Sequence, residues 1–423
     1  MRLLIYSKDG PWLSSAYGRI ADELAGQRLS INHEIAIFAT VGLSDGAVEI
    51  NQGGRTIIVY PPLNRDDFTG QDIVERHIQD FKPDMFWTWG DVWPFMKVAQ
   101  LASQRRFIWG VWAYVDFEWD GFYSSPLSNL LSASFVVPTS KWLERRLRAG
   151  LPSDVVKPTI GPGVNVENFK PLIGTKDEDG TDITKARLRR SVQFDEDAFV
   201  IGLVQMNQVE RKPFEDQLKG VKMFVDANPD IKTTLYLHTL HAAQGGFDLP
   251  TLISELGLAE RTRMADGYKW LKGILGYGDL GMCKLYNGMD VLLNATSGES
   301  PGMPILEAQA CGVPVLATDF TAMPEYVGAG HMVKVRDTFR PPEHPKIIKA
   351  LPDPASICEN LERILNAGKE SYSDKARTFA LKHSWDKCAA EWQRTLSEIE
   401  HEIYRRTLTP PIPHGALKAL SVQ

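Results

Sequence analysis

Short apolar runs alternate with amphipathic stretches along the chain, and the period of the apolar positions switches between that of buried strands and that of helices. In the first half, Leu3 to Tyr6, the run "HEIAIFAT", Thr56 to Tyr60, Met85 to Trp89, Phe107 to Val111 and Phe135 to Pro138 predict strands. Between the first two, Ile20, Leu24 and Leu29 fall at helical spacing in "SSAYGRIADELAGQRL", and "HIQDFKPD" predicts a helix and turn. In the second half "FVIGLVQ" and "TTLYLHT" predict strands and "DLPTLISELGL" a helix. This alternation defines two doubly wound α/β units. After Val327 a proline-rich loop is expected, then helices from Pro354, the last in "SWDKCAAEWQRTLSEIEHEIYRR".

The stretch from Leu292 to Val327 has the most chemical content. Two apolar runs, Val291 to Ala295 and Val313 to Ala317, flank a helix whose start is marked by Gly298, Gly302 and Pro304 and whose end is marked by Gly312. Pro304 suits the first helical position, where its missing N–H costs nothing. The free N–H groups of this helix start make a phosphate site at the carboxyl end of a parallel strand. Glu299 and Glu307, with seven residues between them, flank that site. Carboxylates repel phosphate but accept hydrogen bonds from sugar hydroxyls, and ribose, diphosphate and hexose follow one another in a nucleotide sugar. A second helix start, at Pro213, carries Arg211 and Lys212. Fixed cations there would stabilise the charge that a leaving diphosphate develops.

Composition narrows the classes. A chain of 423 residues holds two domains of ordinary size, and a net charge of −6 argues against a chain built as a nucleic-acid clamp. Cys283, Cys311, Cys358 and Cys388 lack metal-ligand spacing and read as reduced thiols of a cytoplasmic protein. No segment has the length of a membrane span and the start is a strand, so neither stable membrane insertion nor secretion is expected. Asp177-Glu178-Asp179 and Asp195-Glu196-Asp197 contain Asp-x-Asp spacing within hydrophilic connectors, and they read as solvated charge. Eight of the eleven tryptophans precede residue 143, with Trp87, Trp89, Trp93, Trp109, Trp112 and Trp119 at or beyond strand ends. They form either an aromatic acceptor pocket or large core residues. The helix from Lys141 to Ala149, with Arg145, Arg146 and Arg148 beside Trp142, Leu143 and Leu147, is either a solvated surface helix or a membrane-facing one.

Glu299-x7-Glu307 followed by "EAQACGVPV" resembles the donor-binding signature of the family 4 retaining glycosyltransferases, which have the GT-B fold. The resemblance is strongest from Phe199 to Val335. It implies two Rossmann-like domains facing across a cleft, with residues 1–165 the acceptor domain and 166–384 the donor domain. A helix over 385–406 would return to the first domain, and 407–423 would form an extended tail. It implies further that Glu307 holds the ribose, that Glu299 lies by the transferred sugar, and that Gly302, Met303 and Pro304 line the donor site. Gly276 to Leu280 would hold the base, and Gly163-Val164-Asn165 the crossing between domains. Gly18 corresponds to the glycine-bearing first loop, whose first glycine is Ala16 here. Lys212 matches a family lysine, whereas the family arginine five residues earlier is Asn207, leaving Arg211 to supply the charge. In the loop "WAYVDFEWDGFY" many members place a histidine; here Asp116, Glu118 and Asp120 are the polar candidates for donor or acceptor contacts.

What the resemblance implies is a retaining transferase that needs no metal and no cofactor, with the nucleotide sugar as co-substrate. The acceptor is open: a carbohydrate, a lipid or a small molecule, or alternatively a nucleic-acid base or modified nucleotide. A sugar-nucleotide-binding protein without turnover is the remaining alternative.

Overall fold

Near-continuous apolar runs bury both faces of a strand, and such strands assemble into parallel sheets covered by helices. In the computed structural model, which describes residues 1–43, 46–64, 69–91, 95–104, 107–122, 126–271 and 276–408, this occurs twice. The first sheet contains β1 (Arg2–Asp9), β2 (Glu34–Val41), β3 (Val48–Gln52), β4 (Arg55–Tyr60), β5 (Met85–Gly90), β6 (Ile108–Ala113) and, beyond the two-residue β7 (Glu118–Trp119), β8 (Phe135–Pro138). Their order is β3-β4-β2-β1-β5-β6-β8, parallel except for the β3–β4 hairpin. The sequence pattern missed β3 because its residues are half exposed and polar. Its turn is made by Gly53 and Gly54, both at positive φ (58° and 79°), as a tight hairpin requires.

The second sheet holds β9 (Phe199–Val204), β10 (Thr233–His238), β11 (Thr262–Met264), β12 (Val291–Asn294), β13 (Val315–Thr318) and β14 (Gly330–Val333), all parallel in the order β11-β10-β9-β12-β13-β14. Apolar cores cover both faces of each sheet.

The stretch after Val327, expected as a proline-rich loop, is mostly strand. It forms β14 and then a hairpin of β15 (Val335–Phe339) and β16 (Ile347–Pro352), while Pro341, Pro342 and Pro345 occupy only the turn. The outer edge of β16 pairs antiparallel with β7, Ile347 opposite Trp119 and Ile348 opposite Glu118. A small sheet thus sews the two halves together. The Glu325 carboxylate adds a second tie, accepting from the Lys141 and Trp142 amides at 2.7 and 2.6 Å at the start of the helix Lys141–Arg148.

The last helix, Trp385–Leu408, packs on the first sheet. Its Trp392 ring lies 4.3 Å from Trp87 and 5.2 Å from Trp112, centroid to centroid. Trp87, Trp89, Trp109 and Trp112 are therefore core residues, at most 1% exposed. Trp119 is also buried, while Trp93 and the expected arm beyond residue 408 lie outside the described residues. In the helix Lys141–Arg148, Leu143 and Leu147 point inward, Arg146 stacks on Trp119 and pairs with Glu118 at 3.0 Å, and Arg148 pairs with Glu144. These contacts tie Arg146 and Arg148 to the protein itself, while Arg145 is exposed. Among the described residues no helix is long and apolar enough to cross a membrane.

Candidate active site

The loop after β12 and the helix Met303–Ala310 form one wall of the cleft between the sheets. Gly302 is the N-cap at φ 67°, Met303 is the first helical residue and Pro304 the second, one place later than expected. Either place suits proline, since no N–H in the first turn has a helical partner. Glu307, 5% exposed, accepts from the Tyr286 hydroxyl at 2.8 Å. Across the cleft, Arg19 Nη1 lies 3.8 Å from Glu307 and 2.7 Å from Asp279. Burial raises the Glu307 pKa from the ordinary carboxylate value, and the Arg19 guanidinium opposes the rise.

A chain of opposite charges fills the rest of the wall. The Lys212 ammonium contacts Glu299, Arg211 Nη2 is 3.3 Å from the other Glu299 oxygen, and Arg211 Nε is 2.7 Å from Asp116 Oδ2. Asp116 belongs to the loop after β6, so this chain spans both halves. The backbone closes in as well: the Ser297 amide donates to the Arg211 carbonyl at 2.9 Å, and a Cβ on Gly298 would lie 1.9 Å from the Asp116 carbonyl oxygen. Burial, then the neighbouring guanidinium of Arg211, pull the Lys212 pKa well below the usual lysine range. Lys212 and Arg211 flank the start of the helix Phe214–Ala227, with Pro213 as its N-cap.

The structure thus brings together Lys212, Arg211, Glu299 and Asp116, and sets Glu307 against Arg19. The other named residues stand elsewhere or do other work. Gly18 lies in the short helix Ala16–Ile20, its amide bonded to Ser15 Oγ, and a Cβ there would sit 2.2 Å from the Leu13 carbonyl oxygen. It lets the first loop pack, while its neighbour Arg19 reaches the cleft. Sequence reasoning passed over Arg19, whose only signal was its place beside that glycine. Glu118 accepts from Trp142 Nε1 at 2.7 Å and pairs with Arg146; Asp120 pairs with Arg340 at 2.6 Å. Both take part in packing and in the seam between the halves. Gly278 begins the helix Gly278–Gly288, whose Asp279 holds Arg19.

Asn207 also has another task here. Its amide donates to the Leu240 and Phe247 carbonyls at 3.2 and 2.8 Å and accepts from the Phe247 amide at 2.8 Å, which ties down the loop after β10. Asn207→Ala should cost about 1–3 kcal/mol of stability, read by thermal unfolding. Unchanged stability with weakened donor binding would return the residue to the donor site.

Asp177 and Asp179 pair with Arg187, and Asp195 and Asp197 with Lys232. Among the described residues no three His, Cys, Asp or Glu side chains are grouped to hold a metal ion.

Comparison with known proteins agrees with this fold. Residues 213–366 match the family described as glycosyl transferases group 1. D-inositol 3-phosphate glycosyltransferase of Geodermatophilus obscurus is 29% identical over 273 residues, 62% of this chain and 54% of that protein. Its Streptomyces coelicolor counterpart is 23% identical over 236 residues, 55% of this chain and 48% of that protein. The chain thus spans about half the length of the curated relatives it matches. Among solved structures, sucrose-phosphate synthase from Thermosynechococcus elongatus superposes with a TM-score of 0.69 at 13% identity, covering 95% of this chain and 100% of the other. HepE from Anabaena, in complex with UDP and glucose, gives 0.63 at 15% identity, with 94% and 100% covered. The fold is GT-B, the class expected from the sequence.

Proposed function

We propose that this chain transfers a sugar from a nucleotide-sugar donor to an acceptor hydroxyl, with retention of configuration and without a metal. The observation that carries the reading is the run of charges Lys212–Glu299–Arg211–Asp116, buried except for the half-buried Arg211, which lies across the cleft beside two helix starts. Diphosphate would take up the free N–H groups near Met303 and Phe214, with Lys212 and Arg211 neutralising it. Glu307 would hold the ribose hydroxyls and Glu299 would orient the sugar. As the bond from the sugar's anomeric carbon breaks, its electron pair moves to the phosphate oxygen. The acceptor oxygen then bonds to that carbon on the same face and its proton passes to the phosphate.

Asp116 suits the acceptor side of this step. One of its carboxylate oxygens is held by Arg211, while Oδ1 is buried without a hydrogen-bond partner. A buried acceptor left unmade is costly, and an incoming hydroxyl would satisfy it. UDP is the first nucleotide to test, because HepE was solved with UDP and the trehalose-6-phosphate protein of E. coli, a neighbour of TM-score 0.63, with UDP-2-fluoro glucose. The inositol-phosphate relatives make a phosphorylated polyol the first acceptor to try.

The test is nucleoside diphosphate release from a panel of sugar nucleotides in the presence of a chelator, together with titration of UDP. Glu307→Ala removes a charged acceptor from a buried site and should weaken UDP binding about 10–100-fold. Unchanged affinity would remove the ribose assignment. Binding without release from any donor, with acceptors supplied, would identify a sugar-nucleotide-binding protein instead.

A further inference from the structure

Arg19 is a side chain of the first half whose ion-pair partners, Asp279 and Glu307, belong to the second. Its short helix Ala16–Ile20 is fixed at the start by Ser15, whose Oγ accepts from the Gly18 amide at 3.0 Å. From there the guanidinium crosses the cleft, packs over the Phe169 ring at 5.3 Å from its centroid and sets Nη1 2.7 Å from Asp279 Oδ1. Asp279 is itself held, since its Oδ2 accepts from Asn168 Nδ2 at 2.7 Å. Arg19 is therefore oriented by contacts that owe nothing to Glu307.

Beside Glu307 this leaves a gap of defined size. Glu307 Oε2 accepts from the Tyr286 hydroxyl at 2.8 Å, which fixes the carboxylate, while Oε1 faces Arg19 Nη1 at 3.8 Å. That separation is too long for a hydrogen bond, yet one oxygen atom about 2.8 Å from each group spans it. Such an oxygen must accept from the guanidinium and donate to the carboxylate. A hydroxyl does both, whereas an ether oxygen cannot donate, an ammonium cannot accept and a C–H does neither. With side chains 18% and 7% exposed, Arg19 and Glu307 enclose the gap without sealing it. Glu307 also stands four residues beyond Met303, one helical turn or about 6 Å from the helix start proposed for the diphosphate. At that remove from its diphosphate a nucleotide carries its ribose.

We propose that Arg19 and Glu307 together read a ribose hydroxyl, so that the first half of the chain selects ribonucleotide donors over deoxyribonucleotide ones. This rests on the transferase reading above, which assigns Glu307 to the ribose, and adds a specificity determinant from the opposite wall of the cleft.

The ligands are UDP, GDP, ADP and CDP, titrated on the full chain, and then the 2′-deoxy and 3′-deoxy forms of whichever binds most tightly. At least one deoxy form should bind about tenfold more weakly than its ribonucleotide. Arg19→Met keeps an unbranched chain over Phe169 and removes the charge. It should lower ribonucleotide affinity about tenfold and the affinity of that deoxy form less than about twofold, so that the discrimination collapses. Arg19→Lys, which keeps the charge as a single point donor, should restore part of it. An arginine that merely ties the halves together, or that contacts the phosphates, would weaken all three ligands equally when removed, and that result overturns the proposal. So would discrimination that is absent from the parent protein or intact in Arg19→Met. If none of the four nucleoside diphosphates binds, the transferase reading itself fails, and that outcome is seen before any variant is made.

Discussion

Lys212→Ala should lower nucleoside diphosphate release from the donor about 10²–10³-fold, the range seen when one fixed donor to a developing oxyanion is removed. Lys212 is 6% exposed at the start of the helix Phe214–Ala227, and burial with the adjacent Arg211 already disfavours its charge. A cation held under such strain gains most when a full negative charge appears beside it, which happens as the leaving group departs. Most of the loss should therefore appear in kcat, with UDP affinity reduced much less. Lys212 also contacts Glu299, so the substitution leaves that carboxylate with Arg211 alone at 3.3 Å. Lys212→Arg, which keeps the charge and a donor for Glu299, separates the two effects by restoring part of the rate. Equal losses in UDP affinity and in rate would show a lysine that holds the ground state and contributes nothing more to the transition state.

Trp392→Ala should destabilise the protein by about 3–5 kcal/mol, the usual cost of emptying a buried indole. Trp392 is fully buried against Trp87 and Trp112, on a helix that begins beside the crossing between the halves. There Val164 bridges Ser384, and a Cβ on Gly163 would sit 2.5 Å from the Trp385 Cα. Losing the indole loosens the last helix from the first sheet, and that helix is chemically part of the chain that leaves the second. Two domains need not unfold together, so the measurement is a thermal scan paired with limited proteolysis, which reports early release of residues 385–408. A variant with the parent's melting profile would show that the helix is held by its other contacts.

The alternation of strands and helices was legible because each central strand is an apolar run, and the donor helix because Gly302, Pro304 and Gly312 mark its ends. What was hidden depended on partners remote in sequence. β7 is two residues long and β15–β16 surrounds three prolines; pairing between them is a tertiary fact with no periodic signal. The tryptophans at strand ends matched a ligand edge as well as a core, and only the return of Trp392 shows which they are. Arg19 carries no motif, since it reaches Glu307 from 288 positions away. Asn207, read as a vacancy left by an arginine, is occupied by the backbone of a loop forty residues on.

Gly298 gives the closed cleft a hard stop. The two halves meet there main chain to main chain, with room for a hydrogen and not for a methyl group, because a Cβ would stand 1.9 Å from the Asp116 carbonyl oxygen. Side chains swing among rotamers and let a gap vary, but two backbones in contact allow one spacing only. That contact lies beside the Arg211–Asp116 ion pair and limits how closely the two walls of the cleft can approach. Reactions whose rates fall steeply with displacements of about 1 Å gain from such a gauge, since it leaves the reacting groups little freedom to approach differently.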